Sequence, residues 1–188
     1  MQAQRACREA LMDELLRRPV QADFRADPLR PLLASMLAGR ALGEGILSAG
    51  LGLSSDDFEA LWRAYFPGPR LPLQDGRSED IPEMDDLIQL FDDYRAGPDV
   101  RYRWMARILA HGCAGRDHLW QDMGFANRGE LTAFMNAAFP ALAALNTGDM
   151  KWKKFIYRYY CARDGIYVCP APSCGECVDY AQCFAPEE

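Results

Sequence analysis

Four cysteines crowd the end of the chain in "CPAPSCGECVDYAQCF": Cys169, Cys174, Cys177 and Cys183, spaced C-x4-C-x2-C-x5-C. Thiolates are soft donors that select zinc, copper(I) or iron–sulfur clusters. Zinc ribbons usually separate two short knuckles by a longer spacer, whereas these four thiols follow one another around one centre. Plant-type two-iron ferredoxins share C-x4-C-x2-C, but their last cysteine is remote and their fold is rich in strands. A cubane-type iron–sulfur cluster suits the spacing better, because it takes thiols from several directions over a short loop. Zinc stays open as the other metal. Pro170, Pro172 and Gly175 favour irregular backbone between the thiols. Disulfides suit the tail least. Seven cysteines is an odd count, and a chain of this size buries roughly 70% of its unfolded surface without staples. "MQAQRACREALMDELLRRP" lacks the apolar stretch of a secretory signal. The expectation is a cytoplasmic protein with reduced thiols.

A second group of donors lies upstream. Both histidines of the chain, His111 and His118, flank Cys113. Asp122 follows His118 by one helical turn, where a carboxylate could hold the ring nitrogen not bound to metal. These residues suggest a labile metal site made by His118 and aided by Cys113. The plainer reading is a short helix capped by Asp117, with His118 and Asp122 in water.

The elements that must position these groups read as helices throughout. In "SSDDFEALWRAYFPG" the apolar residues are Phe58, Leu61, Trp62, Tyr65 and Phe66; in "NRGELTAFMNAAFP" they are Leu131, Phe134, Met135, Ala138 and Phe139. Both sets mark one buried helix face. Asn127 with Glu130 reads as a capping box. "IPEMDDLIQLFDDYRAGP" predicts a helix with Pro82 at its first position and Gly97-Pro98 as its stop. Further helices are expected near 4–17, 29–38, 100–111 and 151–161. With no strand alternation, the fold class is all-α. In "MKWKKFIYRYYCAR" a core-facing stripe holds Trp152, Phe155, Ile156, Tyr159 and Tyr160, and Lys151, Lys154 and Arg158 line a basic side leading into the cysteine tail.

"LASMLAGRALGEGILSAGLGL" (33–53) sets over "MARILAHGCAGRDHLWQDMGF" (105–125) without gaps, pairing Gly43 with Gly115, Leu47 with Leu119 and Gly52 with Gly124. One inserted residue later, Phe66-Pro67 pairs with Phe139-Pro140. The expected organisation is one helical domain over 1–188: degenerate repeat units at 29–67 and 105–140, a linker at 68–82 and the cysteine cluster tail at 169–183. Only the second unit carries candidate metal ligands, since Gly39, Ala41 and Ile46 stand where His111, Cys113 and His118 fall.

The net charge of −6 argues against non-specific nucleic-acid binding, and no apolar run reaches the roughly 18 residues of a membrane span. No phosphate-binding loop is present; "GEGILSAGLG" misses the dinucleotide pattern and follows no strand. Nothing points to an enzyme.

"HLWQDMGF", "RGELTAFMNAAFPALAALN", "MKWKKFIYRYYCARDG" and "CPAPSCGECVDYAQCF" together resemble the NifQ family of nitrogen-fixation proteins. The resemblance runs over 105–186 and, more weakly, over 29–67. It implies that Cys169, Cys174, Cys177 and Cys183 hold an iron–sulfur cluster able to include molybdenum. It also implies a molybdenum donor for nitrogenase iron–molybdenum cofactor biosynthesis, with the nitrogenase iron protein and the cofactor scaffold complex as partners and molybdate or another molybdenum source upstream. A zinc-stapled helical interaction module and an iron–sulfur electron-transfer protein are the alternatives.

Overall fold

The computed structural model describes residues 2–76 and 81–164. All ten regular elements among them are helices: α1 (Gln2–Arg17), α2 (Ala22–Ala26), α3 (Leu29–Ala41), α4 (Ser55–Tyr65), α5 (Met84–Asp93), α6 (Val100–Cys113), α7 (Leu119–Asp122), α8 (Arg128–Ala138), α9 (Pro140–Ala143) and α10 (Trp152–Asp164). The fold is all-α, as the apolar period requires. The cysteine tail, with Cys169, Cys174, Cys177 and Cys183, lies outside the described residues.

Two mostly apolar helices make the centre. α3 is buried from Leu33 to Arg40, and α6 buries Trp104, Met105, Ala106, Ile108, Leu109, Ala110 and Cys113. α1 and α8 pack on α3, while α4, α5 and α7 pack on α6. A helix covered on several sides can be apolar around most of its circumference.

The caps are locally encoded. Ser54 Oγ accepts from the Asp57 backbone N–H and Asn127 Oδ1 from that of Glu130, each at 3.1 Å. Only half of the expected capping box forms at Asn127. The Glu130 carboxylate accepts instead from the Ala126 N–H at 2.9 Å and from Ser35 Oγ at 2.6 Å. A local cap has thereby become a tie between α8 and α3. Pro82 does not open α5. It lies in a preceding turn, closed by Met84 N–H on the Ile81 carbonyl, and Glu83 takes the N-cap position.

The paired segments share some backbone features and differ in others: Gly43 sits at φ +80° and Leu51 at φ +57°, whereas of their partners Gly115 is not at positive φ and Met123 sits at φ −79°. Gly52 and Gly124 both sit at φ +78°. α4 and α8 both end in a phenylalanine of the same twisted conformation, Phe66 at φ −142°, ψ 55° and Phe139 at φ −138°, ψ 55°. The segment 68–76 is not helical, yet it is pinned: Leu71 is buried, and Arg40 donates to the Gln74 carbonyl at 2.8 Å.

Candidate functional site

α10 is the element that leads into the cysteine tail; Cys169 follows its last residue, Asp164, by five positions. Its entry is fixed first. Asn146 and Met150 exchange two hydrogen bonds of 2.9 Å, and Arg128 donates to the Asp149 and Met150 carbonyls. Trp152, Phe155, Ile156, Tyr157 and Tyr160 are then buried against the body. The indole of Trp152 donates to Thr132 Oγ1 at 2.9 Å, and the Tyr160 hydroxyl donates to Asp86 Oδ2 at 2.8 Å. Tyr94 and Tyr159 share a hydroxyl–hydroxyl hydrogen bond. The apolar face is therefore wider than the sequence stripe, since Tyr157 is fully buried and Tyr159 only half-buried.

Lys153 stands on that buried side. Its ammonium donates to Asp122 Oδ2 at 2.5 Å, to the Asp117 carbonyl at 2.8 Å and to the Gly115 carbonyl at 2.9 Å. Three donors meet three acceptors, which is what burial of an ammonium demands. Asp122 itself is 1% exposed. Burial pushes its carboxyl upward, and Lys153 works against that rise. The carboxylate lies over Gly115, where a Cβ would come within 2.2 Å of Asp122 Cγ.

This geometry corrects one expectation. Asp122 does not orient the His118 ring: Lys153 takes its Oδ2, and its buried Oδ1 meets no hydrogen-bond partner. His118 is exposed at the N-cap of α7, with its backbone N–H donating to Gln121 Oε1 at 3.3 Å. Cys113 is fully buried at the end of α6, and burial pushes its thiol up to about 12, so it is a neutral thiol at pH 7. Among the described residues no group of three or more His, Cys, Asp or Glu side chains is placed to hold a metal ion.

Lys153 was not singled out by sequence, although a signal was there. It sits between Trp152 and the Phe155-Ile156-Tyr157 run, and Asp122 sits between Trp120 and Met123-Gly124-Phe125. With Lys151 and Lys154 beside Lys153, the sequence leaves open which lysine turns inward to meet Asp122.

The sequence profile of the NifQ family matches residues 32–185. Protein NifQ of Rhodobacter capsulatus is 40% identical over 166 residues, covering 86% of this chain and 91% of that protein. Protein NifQ of Azotobacter vinelandii is 38% identical over 154 residues, covering 73% and 78%. Protein NifQ of Klebsiella pneumoniae is 34% identical over 156 residues, covering 76% and 90%. No solved structure matches the chain.

Proposed function

The chain belongs to the NifQ family of nitrogen-fixation proteins, and from that premise we propose that it carries molybdenum within an iron–sulfur cluster and donates it for assembly of the nitrogenase iron–molybdenum cofactor. One observation carries the proposal: the family match extends to residue 185 and so takes in Cys169, Cys174, Cys177 and Cys183. Four soft donors suit a thiophilic cargo. The work is carriage rather than turnover. The nitrogenase iron protein and the cofactor scaffold complex are the proposed recipients, with molybdate or another molybdenum source upstream.

Anaerobic purification with metal and sulfide analysis tests this. Iron with acid-labile sulfide and some molybdenum is the expected result. Zinc without sulfide would make the tail a structural staple instead. A cluster that cycles electrons but never leaves for an acceptor would make the protein an electron carrier.

Within the same proposal, His118 is the accessible donor of a labile molybdenum site, and Cys113 joins it only when the 113–118 segment opens. His118→Ala is then expected to spare tail iron and lower molybdenum per chain. Cys113→Ala, whose thiol is sealed in the core, is expected to act on stability first, by about 1 kcal/mol. Equal molybdenum-to-iron ratios in both variants and the wild type leave the tail as sole carrier.

Lys151, just before α10, and Lys154, in its first turn, are half-buried and serve docking of an acidic recipient or of molybdate. Lys151→Glu with Lys154→Glu is expected to change stability by under about 1 kcal/mol per site. It should slow transfer at low salt, with the difference shrinking as salt rises. Equal transfer rates at low salt would remove both lysines from docking.

A further inference from the structure

α1 lies before the segment matched by the family profile, which begins at residue 32. Among residues 3–10 only Arg8 is buried, so the first half of α1 stands on one buried side chain. One Arg8 guanidinium nitrogen donates to the Ser35 carbonyl at 2.8 Å, the Gly124 carbonyl at 3.0 Å and Ser35 Oγ at 3.2 Å. The other pairs with the Glu44 carboxylate, whose second oxygen accepts from the Gln4 amide at 2.9 Å. Gly39 is the floor: a Cβ there would come within 2.7 Å of the guanidinium. Ser35, Gly39, Glu44 and Gly124 all belong to the matched segment, so the body builds this socket and α1 fills it. The second unit has no such socket. In the ungapped pairing Arg107 and Arg116 stand for Ser35 and Glu44, which puts cations where the acceptors were.

Acceptors that lose their donor inside a packed junction cost free energy, and a carboxylate among them costs more. Water is therefore a poor replacement for Arg8, and another guanidinium is a good one, since its planar fork meets the same oxygens. Glu44 offers the way in, because 31% of its side chain is exposed. An incoming arginine meets that carboxylate before Arg8 has left it. We infer that Ser35, Glu44 and Gly124 form a docking socket for an arginine of a partner protein, which enters by lifting the first half of α1. The second half of α1 stays down, held by buried Leu15 and by Arg30 on the Leu15 and Arg18 carbonyls.

The test uses the full chain, isotope-labelled, and reads hydrogen exchange and Tm. In the wild type, amides of 6–10 are expected to exchange at least about tenfold faster than those of 12–17. The probe is an unlabelled peptide of residues 2–17 at millimolar concentration. It should speed exchange of 6–10 by at least about threefold, whereas the same peptide carrying Arg8→Ala, or free arginine, should not. Arg8→Ala in the chain should lower Tm, and methylguanidinium at about 10 mM should restore at least about half of that loss. Sodium chloride should restore none of it, and methylguanidinium should leave the wild type and the double variant Arg8→Ala with Glu44→Gln unchanged. Absence of the rescue removes the socket. Amides of 6–10 that are as slow as those of 12–17, or that do not respond to the peptide, make α1 a fixed part of the body and overturn docking. Free arginine acting as strongly as the peptide also overturns it, because the ligand would then be a small molecule. If Arg8→Ala does not fold, Glu44→Gln decides: amides of 6–10 should exchange at least about threefold faster than in the wild type, and no change removes the socket.

Discussion

If the proposed cluster sits in the tail, Cys177→Ala is expected to lose at least about half of the iron of the wild type while the helical body stays folded. Each corner of a cubane needs a thiolate; with one missing, that iron faces water and leaves or the cluster converts. The body has no such dependence. The described residues alone already build a contiguous apolar core from Leu15 to Tyr160, so far-ultraviolet circular dichroism should match the wild type. Cys169→Ala, Cys174→Ala and Cys183→Ala are expected to behave alike, because in the proposed carrier the four thiols act as a set. Full iron in all four single variants would remove the tail as the cluster site.

A large loss of stability from one added methyl group is expected at Gly39. This glycine lies inside α3, where alanine would ordinarily stabilise by about 1 kcal/mol. Its Cβ, however, would fall 2.1 Å from the carbonyl oxygen of Gly124 and 2.7 Å from an Arg8 guanidinium nitrogen. Neither neighbour is free to give way. Gly124 is held at φ +78°, and its carbonyl accepts from Arg8 at 3.0 Å. Arg8 also donates to the carbonyl of Ser35 and pairs with Glu44, all within a buried junction of α1, α3 and the 122–124 turn. Backbone overlap of this kind costs more than ordinary overpacking. Gly39→Ala should therefore lose about 3 kcal/mol, or roughly 6–12 °C in Tm for a chain of this length. Gly148, where an added Cβ would meet nothing within 4 Å, is the control: Gly148→Ala should leave Tm within about 2 °C. A melting point for Gly39→Ala equal to that control would mean that α3 does not approach Gly124 as described.

What the sequence by itself determined is local. An apolar stripe of helical period and a side-chain cap need only a few neighbouring residues, so α1, α3, α4, α6, α8 and α10 could be read within a few residues of their ends. The family was also legible, because its motifs are written along short stretches of chain. α2, α7 and α9 were not, since four or five residues are too short to show a period. Nor was the breadth of the α10 face, which depends on how many elements cover it.

Tertiary structure alone decided which charged groups went inside and with whom. Asp122 looked like a companion of His118 four residues away, yet it pairs with Lys153 thirty-one residues away. Glu130 looked like the second half of a cap, yet it accepts from Ser35 in α3. Arg8, Arg40 and Lys153 are buried, and no local pattern says where their partners lie. The physical reason is the same for each. A buried charge is tolerated only where docking brings oxygens to it from another segment, and docking is a property of how the helices meet, not of any one of them.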